Sequence, residues 1–200
     1  MIMNTIIFAT GNENKLREIR MITEGMGIEV ISMKEAGCFA DVEEDGTTFE
    51  ENAILKARAI AQKSGKLVVS DDSGLEIDYL NKEPGIYSAR YMGEDTPYSI
   101  KNAELLRRME GVPDEKRTAR FVCAMAMCRP DGTYETVQAT MEGRVAYESA
   151  GANGFGYDPI FFLPEYGCTS AELSPEDKNA ISHRGKALQM MKGILEKEFA

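Results

Sequence analysis

Short apolar segments alternate with segments of helical periodicity along this chain, and this alternation limits the folds open to it. NTIIFAT has a strand pattern and leads into the turn TGNEN, after which apolar residues recur at helical spacing from Leu16 to Met26. A second helix is predicted from the capping box of Thr48 with Glu51 to Ser64-Gly65, directly before the strand LVVS. This order predicts an α/β fold with a mixed sheet, organised as two lobes that share one cleft.

The second half of the chain continues the alternation. Thr96-Pro97 opens a third helix, and RFVCAMAMC and TYETVQATM are predicted to be two antiparallel strands. The segment IFFLP is a further apolar strand, and a last helix is announced by residues 174–177, SPED. With no repeats and no Pro/Ser linker, residues 1–200 are predicted to be one domain.

Composition excludes several classes of protein. The 200 residues are 43% hydrophobic and 28% charged, as in a globular domain, and the formal net charge is -10. Such an acidic chain is repelled by nucleic acids and by anionic membranes. No apolar run is long enough for a membrane span, and the start of the sequence lacks a basic segment before an apolar core. We therefore expect a cytoplasmic protein with no nucleic-acid or membrane partner.

The four cysteines do not suggest a metal or disulfide site. Cys38, Cys123, Cys128 and Cys168 form no CxxC pair, and Cys123 and Cys128 should face opposite sides of one strand. We expect them to be reduced and mostly buried.

The turn TGN before the first helix is a candidate anion site. A strand that enters a helix through Thr-Gly-Asn points backbone N–H groups at the space above the sheet. Lys15 lies near the first helical turn, where the helix dipole disfavours a cation by roughly 0.3 to 1 kcal/mol, and a bound anion would offset that cost. An ordinary turn beside a solvated lysine explains the same residues equally well.

Two adjacent carboxylates, Asp71 and Asp72, follow the apolar strand LVVS. Asp71 to Gly74 has good turn chemistry and could be a simple bend. However, like charges this close are costly to desolvate unless cations or donors compensate them. In an extended backbone the two side chains point in opposite directions, so one should meet a metal while the other binds backbone or substrate.

The acidic run from Asp41 to Asp45 precedes the second helix. Acidic residues there match the helix dipole, so a solvated loop is the simpler interpretation. The alternative makes Glu43 a second metal ligand, with the adjacent Glu44 as the other choice. Hard oxygen ligands in small number suit Mg²⁺ when phosphates and waters complete the shell.

Two further clusters lie near the C-terminus. NGFGYDP, residues 153–159, is either a packed turn or an aromatic surface on which a nucleobase stacks. Stacking of a base on an aromatic ring contributes about 1 to 3 kcal/mol. KNAISHRGKAL contains the only histidine, His183, beside Arg184. A lone histidine is usually structural, but both side chains could donate hydrogen bonds to a ligand.

Together these segments resemble one known family along nearly the whole chain. They are FATGNENKLREI, EEDGTTFEENAILKARA, SDDSGL, PGIYSARY, GFGYDPIFF and AELSPEDKNAISHRGKAL. The resemblance is to the non-canonical purine nucleoside triphosphate pyrophosphatases, the HAM1-like inosine triphosphatase or dITP/XTP pyrophosphatase family. It implies an elongated mixed twisted sheet with flanking helices, a homodimer, and magnesium-dependent hydrolysis of ITP, dITP and XTP to the monophosphate and pyrophosphate, which cleanses the nucleotide pool.

The resemblance also implies roles for individual residues. Asp71 is the general base and metal-linked carboxylate, Asp72 lies in the substrate site, and Glu43 is the predicted metal-side acid. The triphosphate is held by the first turn, which comprises Thr10, Gly11, Asn12, Glu13, Asn14 and Lys15. The base and sugar are held by Phe155, Gly156, Tyr157, Asp158, Lys178, His183 and Arg184.

Selectivity is expected to depend on the six position of the purine. Hypoxanthine and xanthine present an oxygen acceptor there, whereas adenine presents an amino donor, so donors from His183 and Arg184 would favour the former. Two alternatives remain: a nucleotide-binding sensor without turnover, and a relative in fold that acts on modified pyrimidine or methylated nucleotides.

Overall fold

The computed structural model describes residues 4–40 and 42–200, so Asp41 of the acidic run lies outside the described residues. Within them the fold is α/β, as predicted, with one mixed, twisted sheet and flanking helices. The strands are β1 (Asn4–Phe8), β2 (Ile28–Ser32), β3 (Val68–Ile77), β4 (Thr118–Cys128), β5 (Tyr134–Val145), β6 (Phe161–Leu163) and β7 (Cys168–Thr169). The α-helices are α1 (Glu13–Thr23), α2 (Phe49–Ser64), α3 (Tyr98–Arg108), α4 (Pro175–Ile181) and α5 (His183–Glu198).

The sheet combines parallel and antiparallel pairs. Among the described residues its strand order is β2-β1-β3-β4-β5-β6-β7. β1 pairs in parallel with β2 and β3, whereas β5 with β6 and β6 with β7 are antiparallel. β4 and β5 are neighbours joined only by residues 129–133, a connection short enough for antiparallel strands alone.

Local capping sets the helix ends where the sequence predicts them. The Thr48 hydroxyl accepts from the Glu51 N–H at 3.1 Å, and Gly65 closes α2 in the left-handed conformation at φ 64°. The Glu51 carboxylate accepts from the N–H of Thr47 at 2.7 Å, so the second bond of the capping box reaches one residue further back than expected. The Ser174 hydroxyl caps α4 through the Asp177 N–H at 3.1 Å.

β3 does not end at the two aspartates. It continues for ten residues through Asp71-Asp72-Ser73-Gly74 to Ile77, so the hypothesis of a bend at this point is wrong. Burial outweighs turn propensity here, because the extended strand carries Leu75 and Ile77 into an apolar cluster. The carboxylates therefore lie within a strand, and their charge must be compensated by other parts of the chain.

The chain divides into two compact units. Unit 1 comprises residues 4–40, 42–72, 123–139 and 184–200 among those described, and unit 2 comprises residues 73–122 and 140–183. In unit 1, side chains of β1 alternate between two clusters: Ile6 and Phe8 pack with α1 and α5, and Ile7 packs with α2. β1 is thus buried on both faces, which explains its continuous apolar sequence.

The cysteines follow this alternation. Cys123 lies in the cluster with α1 and α5, and Cys128 lies in the cluster with α2, which confirms that they face opposite sides of β4. All four cysteines, each within the described part of the chain, are free thiols, and Cys168 alone is not fully buried.

Unit 2 has its own core. Leu75 and Ile77 from β3 pack with Leu105 of α3, Phe121 of β4 and Tyr157. The predicted C-terminal helix is two helices, since α4 ends at Ile181, Ser182 has an extended backbone, and α5 starts at His183. No helix in the described ranges is both long and apolar enough to cross a bilayer.

Candidate functional site

The N-terminus of α1 is built by local hydrogen bonds in unit 1. The Thr10 hydroxyl accepts from the Asn12 N–H at 3.1 Å, and the Asn12 side chain caps the helix by accepting from the N–H groups of Asn14 at 3.0 Å and Lys15 at 3.3 Å. An open cavity of about 200 Å³ lies beside this turn. It is lined by Thr10, Gly11, Asn12, Glu13, Leu16, Ser32, Met33, Lys34 and Phe39. Lys15 is the third residue of the helix, in its first turn as predicted.

Asp71 is fully buried and faces cations. Its Oδ2 lies 3.1 Å from the Lys15 Nζ and 3.5 Å from the Arg184 Nε. Burial by itself raises the pKa of Asp71, but the nearby charges of Lys15, Arg184 and Lys56 outweigh it and hold the pKa well below its usual range. The structure therefore keeps an ionised carboxylate in a buried position.

Asp72 has different partners. The Asn52 Nδ2 donates to its Oδ2 at 3.1 Å, and the Lys56 Nζ lies 3.6 Å from its Oδ1. Burial raises the pKa of Asp72 above its usual range, although Lys56 and Lys15 act against the shift. The two neighbouring carboxylates thus contact different elements, as the extended backbone predicts.

The acidic residues before α2 differ in their contacts. Glu44 is half-buried, and its Oε1 lies 3.0 Å from the Lys56 Nζ, the same amine that contacts Asp72. Glu43, the predicted metal-side acid, is exposed. Among the residues that the structure describes, no three His, Cys, Asp or Glu side chains form a metal-binding group. Mg²⁺ commonly uses one or two carboxylates together with substrate phosphates and water, so it does not require such a group.

Arg184 is held beside Asp71 in unit 1. Only 2% of its surface is exposed, and its guanidinium pairs with Glu18 of α1 as well as with Asp71. Burial alone lowers the pKa of Arg184, but these two carboxylates raise it, so the side chain is always cationic. The predicted base-reading donor is therefore a partner of the Asp71 carboxylate.

Unit 2 brings together Phe155, Asp158 and Lys178. The buried Asp158 Oδ2 accepts from the Lys178 Nζ at 2.6 Å and from the Phe155 N–H at 2.9 Å, while its Oδ1 accepts from the Ser170 hydroxyl at 2.7 Å. The Lys178 Nζ lies 5.3 Å from the centre of the Phe155 ring. A β-carbon at Gly154 would overlap the Asp158 carboxylate, so glycine is required there.

The other predicted residues of unit 2 are mostly buried. Tyr157 is only 3% exposed, and its hydroxyl donates to the Ser88 carbonyl at 2.6 Å. His183 stacks on Phe121 with ring centres 4.9 Å apart and is 5% exposed. Phe155, which is half-buried, is thus the aromatic ring of this loop that a ligand can reach.

Three residues at these sites were not predicted from the sequence: Glu18, Asn52 and Lys56. Asn52 and Lys56 are four positions apart in α2 and so share one helix face, where they both contact Asp72. The sequence does contain an indication of this pair, namely two polar residues at helical spacing in a segment that is otherwise rich in alanine and isoleucine. Glu18 had no such signal, because its partner Arg184 is 166 positions away.

Comparison with known proteins agrees along nearly the whole chain. The Ham1 family model matches residues 6–194. The dITP/XTP pyrophosphatase of Bacillus licheniformis is 46% identical over 194 residues, which are 97% of this chain and 99% of that protein. The dITP/XTP pyrophosphatase of Vibrio parahaemolyticus is 49% identical over 191 residues, 94% of this chain and 95% of that protein.

Solved structures agree as well. A HAM1 protein from Coxiella burnetii has a TM-score of 0.88 and 40% identity, with 98% of this chain and 100% of that chain covered. The Ham1 protein of Staphylococcus aureus has a TM-score of 0.86 and 42% identity, with 98% and 100% covered. The resemblance found in the sequence is thereby confirmed, and the chain belongs to the Ham1 family.

Proposed function

We propose that this protein hydrolyses non-canonical purine nucleoside triphosphates, namely ITP, dITP and XTP, to the nucleoside monophosphate and pyrophosphate. The reaction would remove these nucleotides from the pool. The observation that carries the proposal is the buried, ionised Asp71 carboxylate, which contacts Lys15 in the first turn of α1. The names of the full-length relatives, dITP/XTP pyrophosphatases, support the same substrate class.

In this mechanism Asp71 accepts the proton of the attacking water at its carboxylate. Lys15 and Arg184 keep that carboxylate ionised at neutral pH, which is the form that a general base needs. When the Lys15 ammonium turns to a bound phosphate, Asp71 loses part of its compensation, and its basicity rises. The turn from Thr10 to Lys15 holds the triphosphate, through the Lys15 ammonium and through those N–H groups that the local caps at Thr10 and Asn12 do not use.

Magnesium is part of the proposal. Asp71 supplies an ionised oxygen ligand, and an acid before α2, Glu43 or Glu44, supplies another; hard oxygen ligands of this kind fit Mg²⁺. Bound there, the ion would neutralise phosphate charge and favour departure of pyrophosphate. Asp72 braces this side of the site through Asn52 and Lys56.

The nucleobase is proposed to contact the loop of residues 154–158. The half-buried Phe155 offers a ring for stacking, while the backbone of Gly156 and the buried Tyr157 and Asp158 hold the loop in shape. Lys178 pairs with Asp158, and its Nζ lies 5.3 Å from the centre of the Phe155 ring. His183 and Arg184 are proposed to favour the six-oxo group, which adenine lacks.

The decisive experiment is magnesium-dependent release of pyrophosphate, assayed over a nucleotide panel. We expect release from ITP, dITP and XTP far above that from ATP, GTP and the pyrimidine nucleotides, and loss of release in EDTA. Binding without release would indicate a sensor. Preference for modified pyrimidine or methylated nucleotides would indicate a different substrate class.

A homodimer and a cytoplasmic location complete the proposal. The four free cysteines of the described chain suit a reducing compartment. Sedimentation of the full chain measures the oligomeric state directly.

A further inference from the structure

A buried amide of α3 is bonded to the loop of residues 154–158. Asn102 is 4% exposed, and its Nδ2 donates to the Gly156 carbonyl at 3.1 Å across a sequence separation of 54 residues. Tyr98, one helical turn earlier, packs edge-on against the Tyr157 ring with centres 5.2 Å apart. The same face of α3 therefore meets two consecutive residues of this loop.

Gly156 is one of two glycines in this loop, and both it and Gly154 have a positive φ. It is a glycine at φ 69°, and a β-carbon there would lie 3.6 Å from the Tyr98 ring. The residues on either side are anchored, since the Phe155 N–H binds Asp158 and the Tyr157 hydroxyl binds Ser88. The hydrogen bond from Asn102 fixes the peptide plane between these two anchors.

Asn102 is not explained by stability alone. Its Oδ1 is buried and has no hydrogen-bond partner among residues 4–40 and 42–200. A buried acceptor without a donor costs more free energy than one ordinary hydrogen bond contributes. An unsatisfied group of this kind in a buried position calls for an explanation. The bond from Nδ2 to the Gly156 carbonyl fixes the plane of the amide and with it the position of Oδ1, so the contact with the loop is made at a cost in stability.

We propose that Asn102 is a positioning residue, which locks the Gly156 peptide so that the Phe155 ring is held ready to stack on the nucleobase. The inference rests on the proposed function, because it assigns a nucleobase to Phe155. It predicts that Asn102 affects the base side of the ligand and leaves the recognition of pyrophosphate unchanged.

Two variants and a matched control test this. Asn102→Asp keeps the shape but replaces the donor with an acceptor, and Asn102→Ala removes both groups. Arg107→Ala changes an exposed position of the same helix, where Arg107 pairs only locally with Glu104, and serves as the control. The measurements are amide hydrogen exchange of residues 154–158 without nucleotide, dissociation constants of IMP and pyrophosphate, and kcat and KM for ITP.

We expect faster exchange at 154–158 in both Asn102 variants and IMP binding weakened by about tenfold or more, because small displacements of a binding group are costly. The pyrophosphate affinity should stay at the wild-type value, and KM for ITP should rise more than kcat falls. Arg107→Ala should match the wild type throughout.

Wild-type exchange and wild-type IMP affinity in both Asn102 variants would overturn the inference. A lower melting temperature with unaltered exchange and affinity of the folded protein would also overturn it, since Asn102 would then serve stability only. Failure of the proposed function looks different: the wild-type protein would then neither bind IMP nor release pyrophosphate from ITP, whereas the exchange comparison would still report whether Asn102 holds the loop.

Discussion

Asp71 and Asp72 are adjacent in β3, yet their pKa values are shifted in opposite directions. Asp71 contacts Lys15 and Arg184, and these cations, with Lys56, overcome its burial. Asp72 contacts Asn52 and Lys56, and there burial prevails. One strand thus presents an ionised carboxylate on one side and a carboxylate biased toward protonation on the other.

Replacement of Asp71 tests its role as base. Asp71→Asn should lower kcat for ITP by about a hundredfold or more, because general-base catalysis typically contributes 10²- to 10⁴-fold. ITP affinity should change much less. Asp72→Asn is the paired variant and should lose less turnover, because in the proposed mechanism Asp72 supports the site and does not accept the proton. An active Asp71→Asn enzyme would remove Asp71 from the mechanism.

The acid dependence of stability should separate the two aspartates. The folded-state pKa of Asp71 lies below its ordinary 3.8, so its contribution to the free energy of unfolding is present above that pH and is lost as the pH falls below it. The pKa of Asp72 is raised, so its ionised form costs stability, and acidification toward 3.8 should recover that cost.

Urea unfolding against pH in metal-free buffer measures both effects. In Asp71→Asn, the free energy of unfolding should fall less than in the wild type as the pH drops below 3.8. In Asp72→Asn, the free energy of unfolding should rise less than in the wild type as the pH drops toward 3.8 from above. Identical pH profiles for the wild type and both variants would contradict the opposite shifts.

Lys15 is expected to act on the outer phosphates. Lys15→Ala should weaken binding of a non-hydrolysable ITP analogue more than binding of IMP, since in the proposed site the lost cation faces the triphosphate. Arg17→Ala, at an exposed position of the same helix, is the control. Calorimetry with both ligands makes the comparison, and equal losses for the two would place Lys15 away from the outer phosphates.

The two candidate metal-side acids can be distinguished by magnesium titration. Glu44 is half-buried and contacts Lys56, which also reaches Asp72, whereas Glu43 is exposed. We therefore expect Glu44→Gln to raise the Mg²⁺ concentration for half-maximal activity more than Glu43→Gln does. The reverse order would restore Glu43, the residue that the sequence favours.

Arg184 and His183 should both affect substrate choice, and Arg184 should affect turnover as well. Arg184→Ala should lower kcat for ITP and ATP alike, because Asp71 loses a cationic partner. If both side chains donate hydrogen bonds to the six-oxo group, each alanine variant should also lower the ITP/ATP ratio of kcat/KM, by roughly ten- to a hundredfold. An unchanged ratio in both variants, with circular dichroism intact, would exclude base recognition by this pair.

Local features of the fold could be predicted because they depend on residues one turn apart. The helix ends at Thr48, Gly65 and Ser174 each follow from residues within three or four positions. The alternation of strand and helix patterns likewise indicated an α/β fold with a mixed sheet. Such signals are read directly from spacing.

The path of β3 and the charge state of its aspartates were decided by tertiary structure. Turn propensity at Asp71 to Gly74 predicted a possible bend, but burial of Leu75 and Ile77 and cations brought in from distant segments favour a strand. Arg184 is 113 positions from Asp71, and Asn102 is 54 positions from Gly156. Spacing along the chain contains no information on such pairs, because charge compensation and carbonyl orientation depend on distance in space. Spacing along the chain was enough to predict most helices and strands and most candidate residues, whereas only the folded structure shows which of those residues compensate the charge of another.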